Sequence, residues 1–101
     1  MTDLNASNAL RVAVVEDDES VRRALCNLLR SAGMLCDSYA SAEDLLAQAK
    51  LEISCVLFDL RLQGMSGLEL AIALRRRSPS LPLVCLSAKV EPATRARLFE
   101  A

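Results

Sequence analysis

The chain has 101 residues, room for one small domain and not two. Its hydrophobic fraction of 52% argues against disorder, and a net charge of −1 lacks the basic excess of a nucleic-acid binder. No apolar stretch approaches membrane-spanning length, and residues 1–9 have neither the basic start nor the apolar segment of a signal peptide, so a cytoplasmic protein is expected. Residues 1–10 read as a polar lead-in and 11–101 as the domain. Aromatic residues are 3% of the chain, so the core must be built from Leu, Val, Ala and Ile.

Strand and helix signals then alternate. Residues 11–15 read as a strand, buried because of its apolar run Val12-Ala13-Val14-Val15. Residues 19–30 follow as a helix, with Val21, Leu25, Leu28 and Leu29 recurring at helical spacing and Gly33 where a C-terminal cap would lie. Residues 34–39 read as a weaker strand near a sheet edge. Ser41 stands three before Asp44, approximating a capping box for a short helix over 42–49. Residues 53–58 are the third strand and 61–67 a loop. Residues 68–77 form a helix with an apolar stripe of Leu68, Ala71, Ile72 and Leu74. The segment Ser78-Pro79-Ser80-Leu81-Pro82 breaks it before a fourth strand over 83–87. Pro92 is placed to open a last helix. The order βαβαβαβα implies an α/β fold, a parallel sheet with helices on both faces.

Two strand ends carry the chemistry. The first run closes in Glu16-Asp17-Asp18-Glu19, and the run Cys55-Val56-Leu57-Phe58 closes in Asp59. Ligands of open α/β sheets bind beyond the carboxyl ends of the strands, so these carboxylates are expected at one site. Close carboxylates repel one another and want a hard cation such as Mg²⁺. Taken alone, the acidic cluster would suit the positive end of a helix dipole, and Asp59 a turn after a strand. Within the cluster the metal pair is Glu16 with Asp17, or Asp17 with Asp18; the first is preferred because Asp18-Glu19-Ser20 suits a helix start. Arg75-Arg76-Arg77 reads as a solvated helix C-terminus. Cys26, Cys36, Cys55 and Cys85 form no CxxC pair, and there is no histidine for a zinc site. They read as buried thiols acting as small hydrophobes.

Three signals agree in order and spacing: Val14-Val15-Glu16-Asp17-Asp18; Val56-Leu57-Phe58-Asp59 leading to Gly64-Met65-Ser66-Gly67-Leu68-Glu69-Leu70; and Leu83-Val84-Cys85-Leu86-Ser87-Ala88. From Arg11 to Ala101 the chain resembles the receiver domain of bacterial response regulators, and around Asp59 its FixJ-like branch. That resemblance implies a flavodoxin-like doubly wound sheet of strand order 2-1-3-4. It implies that Asp59 accepts a phosphoryl group from a histidine kinase. It further implies that Glu16, Asp17, Asp59 and the Arg61 backbone carbonyl hold Mg²⁺. Ser87 would bind the phosphoryl group and act as the switch, with Ala88 leaving the site open. Arg61 and Lys89 match positions that influence dephosphorylation. The protein would be a phosphoacceptor and not a turnover enzyme, with DNA reached only through an output domain of the kind its relatives carry.

Two departures from the family pattern matter. Gln63 stands where the family usually has proline. The family also continues into a fifth strand, which ends in a lysine that neither Lys50 nor Lys89 replaces, and a fifth helix. Without them the fourth strand is an apolar edge that invites self-association, and the helix face around Leu25 and Leu29 is uncovered. A phosphorylation-incompetent interaction module is the rival reading. A Mg²⁺-dependent aspartyl phosphatase ranks below it, because the second acid such enzymes need is Arg61 here.

Overall fold

The computed structural model describes residues 9–86 together with 93, 96 and 97. Four parallel strands, β1 (Arg11–Val15), β2 (Leu35–Tyr39), β3 (Cys55–Phe58) and β4 (Leu83–Cys85), form one sheet of order β2-β1-β3-β4. Three helices, α1 (Glu19–Ser31), α2 (Ala42–Leu46) and α3 (Gly67–Arg77), alternate with them. Both the fold class and the strand order agree with the expectation. Of the expected last helix, only Ala93, Ala96 and Arg97 are described, and they are helical. No helix among the described residues is long and apolar enough to cross a membrane.

Side chains alternate across a strand, so β1 feeds two cores. Ala13 and Val15 join Val56 and Phe58 under α2 and α3, where Leu45, Leu70, Ala71 and Leu74 close the layer. Val12 and Val14 face the other way, with Cys26 of α1 and Cys36 of β2. Burial on both faces explains why β1 is a nearly continuous apolar run.

The helices begin and end on local chemistry. Asp18 caps α1, its carboxylate accepting from the Val21 N–H at 3.1 Å. At the other end the Gly33 N–H donates to Arg30 O and the Met34 N–H to Leu29 O, both at 3.0 Å. That is the Schellman pair of bonds, and it requires the positive φ of Gly33 (87°). Ser66 and Glu69 form a reciprocal capping box that opens α3.

Several expectations need correction. The sheet-facing residues of α1 are Cys26 with half-buried Leu25 and Leu29, while Val21 and Leu28 are exposed. The buried residues of α3, which starts one residue early, are Gly67, Leu70, Ala71 and Leu74, while Leu68 and Ile72 are only half-buried. Helix α2 stops at Leu46 and not at 49. Its freed carbonyls are taken by another element: the Arg77 guanidinium donates to Leu46 O at 3.1 Å and to Gln48 O. Arg75 likewise bonds Pro79 O at 2.7 Å and Leu81 O at 2.9 Å. Two of the three arginines are therefore clamps, not a solvated terminus. Finally, Cys26 and Cys36 are joined as a disulfide, leaving Cys55 and Cys85 as free thiols.

Candidate functional site

The β1–β3 register pairs Val15 with Phe58, so the residues that follow, Glu16 and Asp59, emerge side by side at the carboxyl edge of the sheet. Each is tied to the sheet as it leaves. The Glu16 N–H donates to Tyr39 O at 3.1 Å, and the Asp59 N–H to Val15 O at 3.3 Å. Beyond β4 the Leu86 N–H still bonds Phe58 O at 2.8 Å, extending that ladder to the same edge. Ser87, Ala88 and Lys89 lie outside the described residues.

Glu16 is the one buried charged side chain among the described residues, 6% exposed. Its Oε2 accepts from the Asp18 N–H at 3.2 Å, and its carbonyl accepts from Arg22 Nη1 at 2.7 Å. Burial pushes its carboxyl above the usual 4.5; the Asp18 N–H opposes this, and the hydrogen bond with Asp17 and the charges of Asp59 and Asp17 add to it. The three carboxylates thus share one field, although Asp17 is exposed and Asp59 half-buried. Asp18 is engaged as the α1 cap, while Asp17 is hydrogen-bonded to Glu16, whose carboxyl also feels the charge of Asp59.

The loop from β3 to α3 folds back under Asp59. Asp59 Oδ1 accepts from the Arg61 N–H at 3.0 Å, an Asx-type turn. The Gly67 N–H returns to Leu60 O at 3.0 Å. A Cβ on Gly67 would overlap the Asp59 carbonyl oxygen and come within 2.6 Å of Leu60 Cα. Across the loop the Met65 N–H donates to Glu43 Oε2 at 3.1 Å, fastening it to the first turn of α2. Glu43, Gly67 and Arg22 all shape the site without carrying its chemistry. Gly67 stands within the Gly64–Leu70 motif, but its close approach to Asp59 carries no local signal, and neither do the contacts of Glu43 and Arg22.

Among the described residues, no three His, Cys, Asp or Glu side chains are gathered into a ready-made ligand set. The donors are nevertheless of one kind. Mg²⁺ keeps several waters and takes one or two carboxylates, so an all-oxygen set of Glu16, Asp17 and Asp59 has the right chemistry for it. The charges of Asp59 and Asp17, which add to the rise that burial gives the Glu16 carboxyl, are a repulsion that a dication would relieve.

Comparison with known proteins agrees with this geometry. Residues 12–101 match the family described as the response regulator receiver domain. The chain belongs to that family, the receiver domains of two-component response regulators. It is 39% identical over 83 residues to Nodulation protein W of Bradyrhizobium diazoefficiens, covering 81% of this chain and 37% of that protein. It is 35% identical over 80 residues to Transcriptional regulatory protein FixJ of Azorhizobium caulinodans, covering 78% of this chain and 38% of that one. The chain therefore spans well under half the length of these relatives. Among solved structures it is similar to the response regulator protein TrrA of Thermotoga maritima in complex with Mg²⁺–BeF. That match is 25% identical, has a TM-score of 0.82, and covers 91% of this chain and 81% of that one.

Proposed function

We propose that this domain, running from Arg11 onward behind a polar lead-in of residues 1–10, is a Mg²⁺-dependent phosphoacceptor served by a histidine kinase, with Asp59 as the acceptor. The observation that carries the reading is the register that sets Asp59 beside buried Glu16, with Asp17 in the same field. In the reaction an Asp59 carboxylate oxygen attacks the phosphorus of a phosphohistidine, the P–N bond breaks, and an aspartyl phosphate forms. An anion attacking an anion meets repulsion, and Mg²⁺, when bound, would supply the compensating charge. Glu16, Asp17, Asp59 and the Arg61 carbonyl would hold it, and Ser87 would donate to the phosphoryl oxygen. The Arg61 N–H on Asp59 Oδ1 orients the carboxylate. The domain is a switch and not a turnover enzyme. It works in the cytoplasm and acts on transcription through an output domain like those of its regulatory relatives.

Beryllofluoride, which mimics a phosphoryl group on aspartate, tests the site directly. With Mg²⁺ it should shift the amide resonances of Glu16, Asp17, Asp59 and Ser87 while leaving the distant face of α3 unmoved. A well-dispersed spectrum that ignores beryllofluoride would instead favour an interaction module that keeps the fold without phosphorylation. The absence of a ready-made ligand set among the described residues is the observation on that side.

We further propose that the chain self-associates through β4. This strand has three residues and pairs only with β3 among the described residues; its Val84 is 44% exposed, and Leu86 just beyond it is 38% exposed. Exposed apolar edges recruit further strands. Sedimentation should give a weight-average mass that rises with concentration; a constant monomer mass would remove the proposal.

A further inference from the structure

We propose that Cys26 and Cys36 are a reversible oxidation site, a dithiol that hydroperoxides convert to an intramolecular disulfide bridging α1 and β2. The proposal does not depend on the phosphoacceptor reading.

Position is the first argument. The Cα atoms of the two residues are 5.6 Å apart, inside the usual range for a disulfide. Ten residues separate them, and that span is the end of α1, its Schellman turn and the entry to β2. The chain between them is thus held by regular structure, and the sulfurs meet without a change of fold. An Arg30 Nη2–H donates to the Cys36 carbonyl at 3.1 Å, tying the same two elements together independently of the sulfurs.

Surroundings are the second. Cys26 and Cys36 are buried, 4% and 8% exposed, but Cys26 also lines an open cavity of about 210 Å³ with Glu19, Arg22, Arg23, Arg30 and Ser38. The thiolate is the nucleophile in such oxidations, and the cavity gives Cys26 an opening to solvent. Arg22 and Arg30 are fixed there by their bonds to Glu16 O and Cys36 O, while Arg23 pairs with Glu19. The cavity is large enough for a small peroxide.

The other two cysteines offer an internal contrast. Cys55 and Cys85 are half-buried free thiols. Val56 pairs with Leu83 and Phe58 with Cys85, so by alternation Cys55 and Cys85 point to opposite faces of the sheet and cannot join.

The chemistry balances within this pair. The Cys26 thiolate attacks one peroxide oxygen, the O–O bond breaks, and the sulfenic acid forms as hydroxide or alkoxide leaves and takes a proton. Cys36 then gives up its proton and attacks the Cys26 sulfur; the S–S bond forms, the S–O bond breaks, and water departs. The dithiol loses two electrons and two protons, and the peroxide is reduced. A small dithiol reductant returns the pair through a mixed disulfide. Oxidation adds a covalent tie between α1 and β2, which after reduction stay joined by their connecting turn, packing and the Arg30 bond.

The test is iodoacetamide labelling of the full chain after complete reduction and after hydrogen peroxide, followed by tryptic mapping. Four adducts are expected on the reduced chain and two, on Cys55 and Cys85, on the oxidised chain. Trypsin cuts after Arg23, Arg30 and Lys50, so the bridge should appear as residues 24–30 linked to 31–50. Restoring four adducts with dithiothreitol completes the expected result. A C55S/C85S variant should keep the link and C36S should lose it. Four adducts after peroxide, a link to Cys55 or Cys85, or only intermolecular bridges would each overturn the proposal. The wild-type map decides between them even if a variant folds poorly.

Discussion

Replacing Gly67 with alanine should lower the stability of the domain by about 2–3 kcal/mol, since overpacking of this kind typically costs about 1–3 and here the obstacle is backbone. In a domain of this size that shifts the melting midpoint down by roughly 10 °C or more. A Cβ at Gly67 meets the Asp59 carbonyl oxygen and Leu60 Cα, neither of which can turn away as a side chain could. The better helix propensity of alanine is worth only about 1 kcal/mol in a helix interior and does not offset this. The same displacement moves the Asp59 backbone, so beryllofluoride binding should weaken together with the melting midpoint. Gly64→Ala is the control. Its φ of 77° makes alanine strained, but the atoms it meets belong to the tip of the Glu43 side chain, which can swing aside. A smaller loss of stability, near 1 kcal/mol, is expected there. Thermal melts of both variants check the order; Gly67→Ala melting at or above Gly64→Ala would contradict the packing account.

Glu16→Gln should separate stability from function. Without metal the variant should be the more stable protein at neutral pH. Burial holds the Glu16 carboxyl above 4.5, the value for the unfolded chain. Below that value both states carry the proton and Glu16 adds no penalty. As the pH rises through it the unfolded chain ionises first and the folded state is progressively disfavoured. The penalty is complete once the pH passes the raised folded value. Glutamine removes this dependence, so the advantage of the variant should vanish toward acid. Mg²⁺ should reverse the ranking, because glutamine cannot supply the charge. Loss of an outer-shell partner alone costs about 10–100-fold in metal affinity, so loss of a ligand should cost at least as much. Melting curves against pH, with and without Mg²⁺, read both effects. A variant no more stable than the parent at neutral pH without metal would refute the burial argument.

Much of this was legible in the chain, and the exceptions share a cause. Strands with apolar runs, the Ser41 cap and the Pro79–Pro82 break are local signals; all appear in the expected order, although β3 starts at Cys55 and not at 53, and β4 ends at Cys85. Proximity of Glu16 and Asp59 followed from placing both at strand ends. What escaped were contacts between elements distant in sequence. Helix α2 ends early at Leu46, and Arg77 reaches across from α3 to Leu46 O and Gln48 O. Cys26 and Cys36 carry no motif, and only the packing of α1 on the edge strand β2 brings them together. Glu43 reads as an ordinary first-turn acid, yet it holds the loop beneath Asp59. The exposure of Val21 and Leu28 likewise depends on what covers α1, which helical periodicity alone does not reveal.

The claim that Asp59 is a phosphoacceptor is tested most directly by intact-mass spectrometry after incubation with Mg²⁺ and acetyl phosphate. One added phosphoryl group is expected, lost on removal of Mg²⁺, lost in Asp59→Asn, and released by mild base as an acyl phosphate should be. No gain of mass from a folded chain, or a gain that persists in Asp59→Asn, would contradict the account.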